Sequence, residues 1–321
     1  TATTTTTTTT LTPREMGRCT IQIVMGPAGS GKSTYCHAMQ QHCATLGRLR
    51  RRTVHVANLD PAAEEFSYDV AFDVRDLVSV PEVMEELQLG PNGALLYCME
   101  YLLEHAHDWL QQELDEFDDD EYYLILDCPG QVELYSHVPV MRRLVEMLRT
   151  WGYDRRVVGV FCVDATFCVD ASKFISGSLL ALSAMVALEL PHVNVLTKCD
   201  LVDEDFVEDL LNRESAADMW GAERIAQDDN NDGDAMRRLR PSLPPAVSGS
   251  LRRRHALTEA IVNLVDDFSM VSFVPLNLKD EESLDYVLTQ VDHTIQYGED
   301  LEVRGADDNE DVVDDLADDD M

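Results

Sequence analysis

Basic residues are scarce in this chain. Its 25 lysines and arginines stand against 60 aspartates and glutamates, a formal net charge of −35. Sequence-independent nucleic-acid binding needs a cationic footprint, so no direct nucleic-acid partner is expected. Long apolar runs are missing too. The longest candidate, Ile175 to Leu190, is broken by Ser176, Ser178, Ser183 and Glu189 and falls short of the ~20 apolar residues that span a bilayer. It reads as a buried helix, and no membrane partner is expected. The chain opens on a threonine tract followed by Arg14 and Glu15, which has no secretory character. No C-x-x-C pair occurs among the eight cysteines, Cys19, Cys36, Cys43, Cys98, Cys128, Cys162, Cys168 and Cys199. That pattern points to free thiols in a reducing compartment rather than to disulfides or zinc.

The acidity is uneven. From Glu299 to Met321 there are 12 acidic residues against one Arg, so 299–321 reads as a disordered, solvated tail, either solubilising or an interaction arm. Residues 1–17 are low in complexity and expected to be disordered; Met16 suggests a shorter natural product starting there. Residues 18–298 read as one domain. Strand candidates are Thr20–Met25, Thr53–Asn58, Glu121–Asp127, Val157–Asp164, Val193–Thr197 and Met270–Leu276. Helical patterns begin near Lys32, Ala94, Pro139, Ala171, Asp203 and Ala256, with a last one from Glu282 to Tyr297. This alternation predicts an α/β fold, a mostly parallel, doubly wound sheet flanked by helices, with ligands at the carboxyl ends of the strands. Leu95, Met99, Leu102, Leu103, Ala106 and Leu110 line one face of the helical run from Ala94. Residues 215–255, Asp/Asn-rich then Pro-rich, read as a mobile insertion. Asp228 to Gly233 imitates an EF-hand opening, but Leu239 stands where a bidentate Glu is required, which argues against calcium.

Gly26-Pro-Ala-Gly29-Ser30-Gly31-Lys32-Ser33-Thr34 fits G-x-x-x-x-G-K-[ST] between an apolar strand and a helix, the setting of a P-loop. Glycines let successive backbone N–H groups converge on phosphate oxygens, helped by the helix dipole, which makes Gly29, Ser30, Gly31, Lys32, Ser33 and Thr34 candidate nucleotide-binding residues. Lys32 would reach the β- and γ-phosphates and Ser33 would offer its hydroxyl to Mg²⁺. The strand before Asp127-Cys-Pro-Gly130-Gln131-Val-Glu133 delivers a carboxylate beside that cradle, where Asp127 can also hold Mg²⁺. Gly130 can present an N–H to a γ-phosphate, and Gln131 and Glu133 can orient an attacking water. Cys128 reads as a packing residue. Asp60, in Asn58-Leu-Asp60-Pro-Ala, can bind a metal-ligating water or position the nucleophile; a helix N-cap is the plainer alternative.

Thr197-Lys198-Cys199-Asp200 closes a strand. An ionised Asp200 only accepts hydrogen bonds, so it suits the two donors on guanine N1 and the 2-amino group, which adenine lacks. Lys198 can lay its methylene stem over the base. Gln88-Leu-Gly90-Pro91-Asn92-Gly93 can be an ordinary turn into a helix.

Taken in order, GPAGSGKST, NLDPA, GPNG, DCPGQVEL and TKCD resemble the GPN-loop GTPases, over roughly Gln22 to Glu302 outside the insertion. The resemblance implies a P-loop NTPase of the SIMIBI-like GTPase type, with GTP or GDP and Mg²⁺ bound. It further implies a homodimer, or a heterodimer with another GPN-loop GTPase (the first paralogue), in which Gly90, Pro91 and Asn92 enter the partner's nucleotide site. Asn92 would then stabilise the transferring phosphate as a neutral counterpart of an arginine finger. The helix near Gly177–Leu188 is a candidate dimer face, or simply a core helix. Assembly and nuclear import of RNA polymerase II, and a cytoplasmic location with shuttling to the nucleus, rest on the likeness alone. Thr197 stands where Ras-like enzymes carry Asn. Two other classes remain open: a P-loop nucleoside or polynucleotide kinase, with Arg237–Arg240 and Arg252–Arg254 as a lid, and a nucleotide-binding scaffold with negligible turnover.

Exchanging the carboxylate for an amide reverses its hydrogen-bonding sense. Asp200→Asn should therefore move preference from GTP toward xanthosine triphosphate in competition binding, and an unchanged preference would refute the base assignment.

Overall fold

The computed structural model describes residues 19–46, 53–117, 122–153, 156–168, 171–212, 260–261 and 271–297. The low-complexity start with Met16, the insertion with its EF-hand-like run and arginine clusters, nearly all of the helix expected from Ala256, and the acidic tail lie outside the described residues.

Seven strands form one sheet: β1 (Thr20–Met25), β2 (Thr53–Asn58), β3 (Val70–Asp73), β4 (Tyr122–Asp127), β5 (Val157–Asp164), β6 (His192–Thr197) and β7 (Phe273–Pro275). Their order is β3-β2-β4-β1-β5-β6-β7, and every pairing is parallel. A parallel sheet is covered on both faces, so its inner strands are apolar throughout rather than alternating. β1 is buried at all six positions, and β5 at all but its last. β3 was not expected. It has four residues, too few to show a period of two, and it lies at the sheet edge.

Helices α1 (Lys32–Thr45), α2 (Val80–Leu87), α3 (Pro91–Glu104), α4 (Leu110–Asp115), α5 (Glu133–Ser136), α6 (Val140–Leu148), α7 (Ala171–Leu188), α8 (Glu204–Asn212) and α9 (Glu281–Thr294) surround it. The sequence reading omitted α2, α4 and α5, each of eight residues or fewer. α1 and α9 cover one face, where Tyr35, Met39, Val287 and Val291 meet Val56, Ile125 and Val160. α3, α6 and α7 cover the other, packing Leu102, Leu144 and Ala181 near Ile23, Leu126 and Phe161. Each fully buried Leu contributes ~1.5–3 kcal/mol.

The start of α3 corrects the expected helix boundary. The helix begins at Pro91, not Ala94, with Gly90 as its N-cap, so Asn92 and Gly93 lie in the first turn. Proline is suited to the first helical position, where its missing N–H costs nothing and its φ is already helical. The expected apolar face is buried, but α3 ends at Glu104. Ala106 lies in the following turn and Leu110 opens α4. α7 buries Ile175, Ser178, Ala181 and Leu188 while leaving Val186 63% exposed. All eight cysteines are buried, and none is in a disulfide. Among the described residues, no helix is long and apolar enough to cross a membrane.

His192 opens β6 opposite Gly159 of β5, and both its ring nitrogens are buried without a hydrogen-bond partner. Burial pushes its pKa down to about 4. The unfolded chain, titrating near the ordinary value of 6.5, therefore takes up the proton first. Stability should be fully present above about pH 6.5 and fall toward pH 4, by up to about 3 kcal/mol from this residue. Urea unfolding of His192→Phe across that range should show a flatter acid limb. An unaltered slope would assign the acid sensitivity elsewhere.

Candidate functional site

Strand register brings the singled-out segments to one edge. Asp127 at the end of β4 lies beside Val24 of β1 and Asn58 of β2, and Asp164 at the end of β5 lies opposite Thr197 of β6. The loop from Gly26 to Gly31 joins β1 to α1 in this row. Gly31 is the N-cap of α1 with a left-handed backbone (φ 87°), and no side chain caps the first N–H groups of the helix. Those donors, with the positive end of a 14-residue helix, make an anion cradle. Lys32 is buried, and its Nζ donates to the Pro27 carbonyl at 3.2 Å. Gly130 closes over the cradle. A Cβ there would lie 2.9 Å from Ala28 Cα and 3.1 Å from Lys32 Nζ, so this approach requires glycine.

Two carboxylates face the cradle. Asp127 is 3% exposed; its Oδ2 accepts from the Tyr68 hydroxyl at 3.0 Å, while Oδ1 is buried with no partner. Burial raises its pKa; Ser33, Tyr68 and Lys32 pull it only part of the way back. An orphaned carboxylate oxygen beside the Ser33 hydroxyl fits a hard divalent cation, which takes oxygen ligands. Among the described residues no group of three His, Cys, Asp or Glu side chains could hold a metal unaided, so further ligands must come from bound phosphate or water. Asp60 has its pKa raised by burial, offset by the Ala62 N–H and by Lys32. Its Oδ1 accepts from Ala62 N at 2.9 Å, but 61–62 form a turn with no helix after it, so this is a turn contact and not the helix N-cap of the plainer reading.

Residues that the motifs did not single out hold these carboxylates in place. The buried Asn58 amide donates to the Asp60 carbonyl at 3.0 Å and to Asp73 Oδ1 at 2.8 Å. Arg75 chelates Asp73 through Nε at 2.8 Å and Nη2 at 2.6 Å, and donates to the carbonyls of Ala63 and Glu64. Its guanidinium lies over Phe66, which stacks on Tyr68. Tyr68 gave no sequence signal, standing in an irregular stretch whose contact with Asp127 is 59 residues distant. On the Asp127 loop, Gln131 Oε1 is buried and unpartnered, and Glu133 is the exposed first residue of α5. Cys128 is buried with its thiol pushed far up by burial, as befits packing.

The 197–200 corner is tied to the cradle at two points. Thr197 Oγ1 bonds to the Ser30 carbonyl at 2.6 Å and the Val163 carbonyl at 3.1 Å. Lys198, in a left-handed conformation (φ 59°), donates from Nζ to the Gly29 carbonyl and to Asp164 Oδ2, both at 2.7 Å. The Cys199 thiol is turned inward to the Leu196 carbonyl at 3.1 Å, and its N–H donates to Leu276. The Asp200 side chain is 15% exposed, with Lys279 Nζ 3.4 Å from Oδ2. Asp164 was missed, although an Asp ending a strand at the ligand edge is a legible signal.

Gly90, Pro91 and Asn92 make none of the contacts described above. All three are exposed, a Cβ on Gly90 would meet nothing within 4 Å, and Leu87, Leu89 and Tyr97 around them are 47%, 37% and 40% exposed.

Residues 24–297 match a family model described as "Conserved hypothetical ATP binding protein". The chain is 47% identical to GPN-loop GTPase 3 of Dictyostelium discoideum over 288 residues, covering 88% of this chain and 90% of that protein. It is 47% identical to GPN-loop GTPase 3 of Danio rerio over 285 residues (88% and 90%) and 42% identical to that of Saccharomyces cerevisiae over 290 (90% and 97%). A solved GTPase in apo form from Pyrococcus abyssi superposes with a TM-score of 0.62 at 22% identity, covering 88% of this chain and 98% of that one; at this identity the likeness is one of fold.

Thr197→Val keeps the shape and removes the donor that Ser30 and Val163 share. Leaving those carbonyls unpaired should cost about 1–3 kcal/mol in urea unfolding, with Thr197→Ser restoring most of it. A Val variant as stable as the parent would show that the tether carries no weight.

Proposed function

The chain belongs to the GPN-loop GTPase family, and on that premise we propose that it binds GTP at the carboxyl edge of the sheet and hydrolyses it to GDP and phosphate as half of a dimer. One observation carries the choice of nucleotide: Thr197 and Lys198 are bonded to the cradle carbonyls of Ser30 and Gly29, so the Asp200 carboxylate stands at a constant offset from the phosphate site. The family description mentions ATP, but a carboxylate there suits guanine's paired donors and leaves an unmatched charge against adenine.

In this reading the N–H groups of Gly29, Gly31 and Thr34 donate to the phosphates, and the Ser30 N–H and Lys32 both exchange the Pro27 carbonyl for phosphate oxygens. Ser33 and the free oxygen of Asp127 hold Mg²⁺. The ion, when bound, neutralises charge on the β- and γ-phosphate oxygens. Gly130 donates its N–H to the γ-phosphate. Gln131 supplies its unpartnered Oε1 as acceptor for a hydrogen of the attacking water, with Glu133 and Asp60 aligning it. Thr197, Lys198 and Cys199 shape the base corner, and Asp200 reads the base. Phosphoryl transfer asks mostly for positioning and charge stabilisation, which such a set provides.

The last group comes from the partner. Exposed Gly90, Pro91 and Asn92, ringed by exposed Leu87, Leu89 and Tyr97, have the accessibility and apolar surroundings of a segment that docks against another subunit. Placed in the facing site, the Asn92 amide donates to the transferring phosphate without adding charge. The partner is a second copy or another GPN-loop GTPase, the first paralogue by resemblance. A cytoplasmic protein that shuttles to the nucleus and serves assembly and import of RNA polymerase II completes the proposal, supported by the family likeness.

Phosphate release with GTP and ATP in parallel, at several protein concentrations, tests the proposal. Turnover should be selective for GTP and rise with association; GTP binding without turnover would favour the scaffold, and transfer to an added nucleoside the kinase. Asn92→Ala should slow hydrolysis about tenfold or more while keeping nucleotide affinity within about twofold. A loss of affinity instead would give Asn92 a folding role.

A further inference from the structure

Asp164 makes contacts beyond those of an ordinary turn residue. Its Oδ1 accepts from Thr166 N at 2.8 Å and from Thr166 Oγ1 at 2.6 Å, capping the short 3-10 turn Ala165–Phe167. Its Oδ2 is left for one partner, the Lys198 ammonium at 2.7 Å. The same ammonium donates to the Gly29 carbonyl at 2.7 Å. Strand register places Asp164 directly opposite Thr197, so the carboxylate sits beside the backbone that launches Lys198. That backbone is left-handed (φ 59°), a conformation that a lysine holds only when its surroundings impose it. Both side chains are largely sheltered, at 20% and 33% exposure, so the pair is less screened than an exposed one.

We propose that Asp164 is a positioning residue for base selectivity: its ion pair pins Lys198 to the Gly29 carbonyl, holding the lysine stem level over the base and Asp200, two residues on, at the height where a guanine edge meets it. Asp164 does not touch the nucleotide. It acts through Lys198. A lysine on a four-carbon stem samples many rotamers unless its head is anchored, and a single carbonyl leaves two of its three N–H donors unassigned. The carboxylate supplies a charge-assisted anchor, and its second oxygen is itself immobilised by Thr166. Fixing the platform favours the purine whose edge matches Asp200 more than it favours purines in general. The inference rests on the reading of Asp200 as the base-recognising group.

The test is equilibrium binding of fluorescently labelled GDP and ADP to the full chain. Asp164→Asn keeps an oxygen for Thr166 and so retains the cap, but turns an amide N–H₂ toward Lys198 and removes the anchor. The GDP-to-ADP affinity ratio should fall about tenfold in Asp164→Asn and recover in part with Asp164→Glu. In a Lys198→Ala background, Asp164→Asn should have no further effect, because its route is gone. The inference is overturned if the ratio stays within about twofold of the parent, if both affinities fall equally, or if the two substitutions add. Should Asp164→Asn not fold, Asp164→Gln against Asp164→Glu, matched in length, carries the same comparison. Equal GDP and ADP affinity in the parent chain would instead overturn the reading of Asp200, and the inference with it. A guanine-selective parent with a selective Asp164→Asn variant would overturn the inference alone.

Discussion

Two bonds from β6 to the first loop organise the candidate site: the Thr197 hydroxyl on the Ser30 carbonyl and the Lys198 ammonium on the Gly29 carbonyl, spanning 167 and 169 residues. A glycine-rich loop that turns its N–H groups toward a ligand turns its carbonyls the other way. The buried Ser30 carbonyl needs a donor of its own, because a buried unpaired carbonyl is costly, and the exposed Gly29 carbonyl gains a charged one. The base corner supplies both. The same contacts that satisfy the loop fix the 197–200 corner relative to residues 26–31.

A second constraint is carboxylate burial. Asp127 and Asp60 both sit where burial disfavours their charge, and for each Lys32 is among the groups that offset part of it. A protein could relieve Asp127 by supplying donors to both oxygens. Here Tyr68 satisfies one and leaves the other open, which is what a cation-binding carboxylate requires. Arg75, just after β3, secures the segment between β2 and β3: it grips Asp73 and the Ala63 and Glu64 carbonyls, stacks over Phe66, and so steadies Tyr68. That segment is long, irregular and polar in its bonding, and none of that shows as periodicity.

Most of the fold was legible because buried parallel strands are short apolar runs with clear ends. β1, β2 and β5 lie where their β-branched stretches predicted, and α1 and α7 begin at the expected residues. What was lost was short or at a margin. β3 is an edge strand stabilised by pairing with β2, and α2, α4 and α5 have too few turns for a 3.6-residue period to emerge. The boundary at Pro91 was missed by treating proline as punctuation when it was serving as the first helical residue.

The candidate runs 26–34, 127–133 and 197–200 could be singled out from the chain alone, since each is a contiguous run in which backbone geometry and residue type act over a few positions. Neighbouring strands decided the rest. Register alone sets Asp164 against Thr197 and Asp127 beside Asn58. Only packing reveals that Tyr68 meets Asp127, that Thr197 holds the loop, and that Gly90, Pro91 and Asn92 are left exposed. Such pairings join residues far apart in the chain, whose proximity depends on strand order and helix placement, quantities that no local pattern encodes.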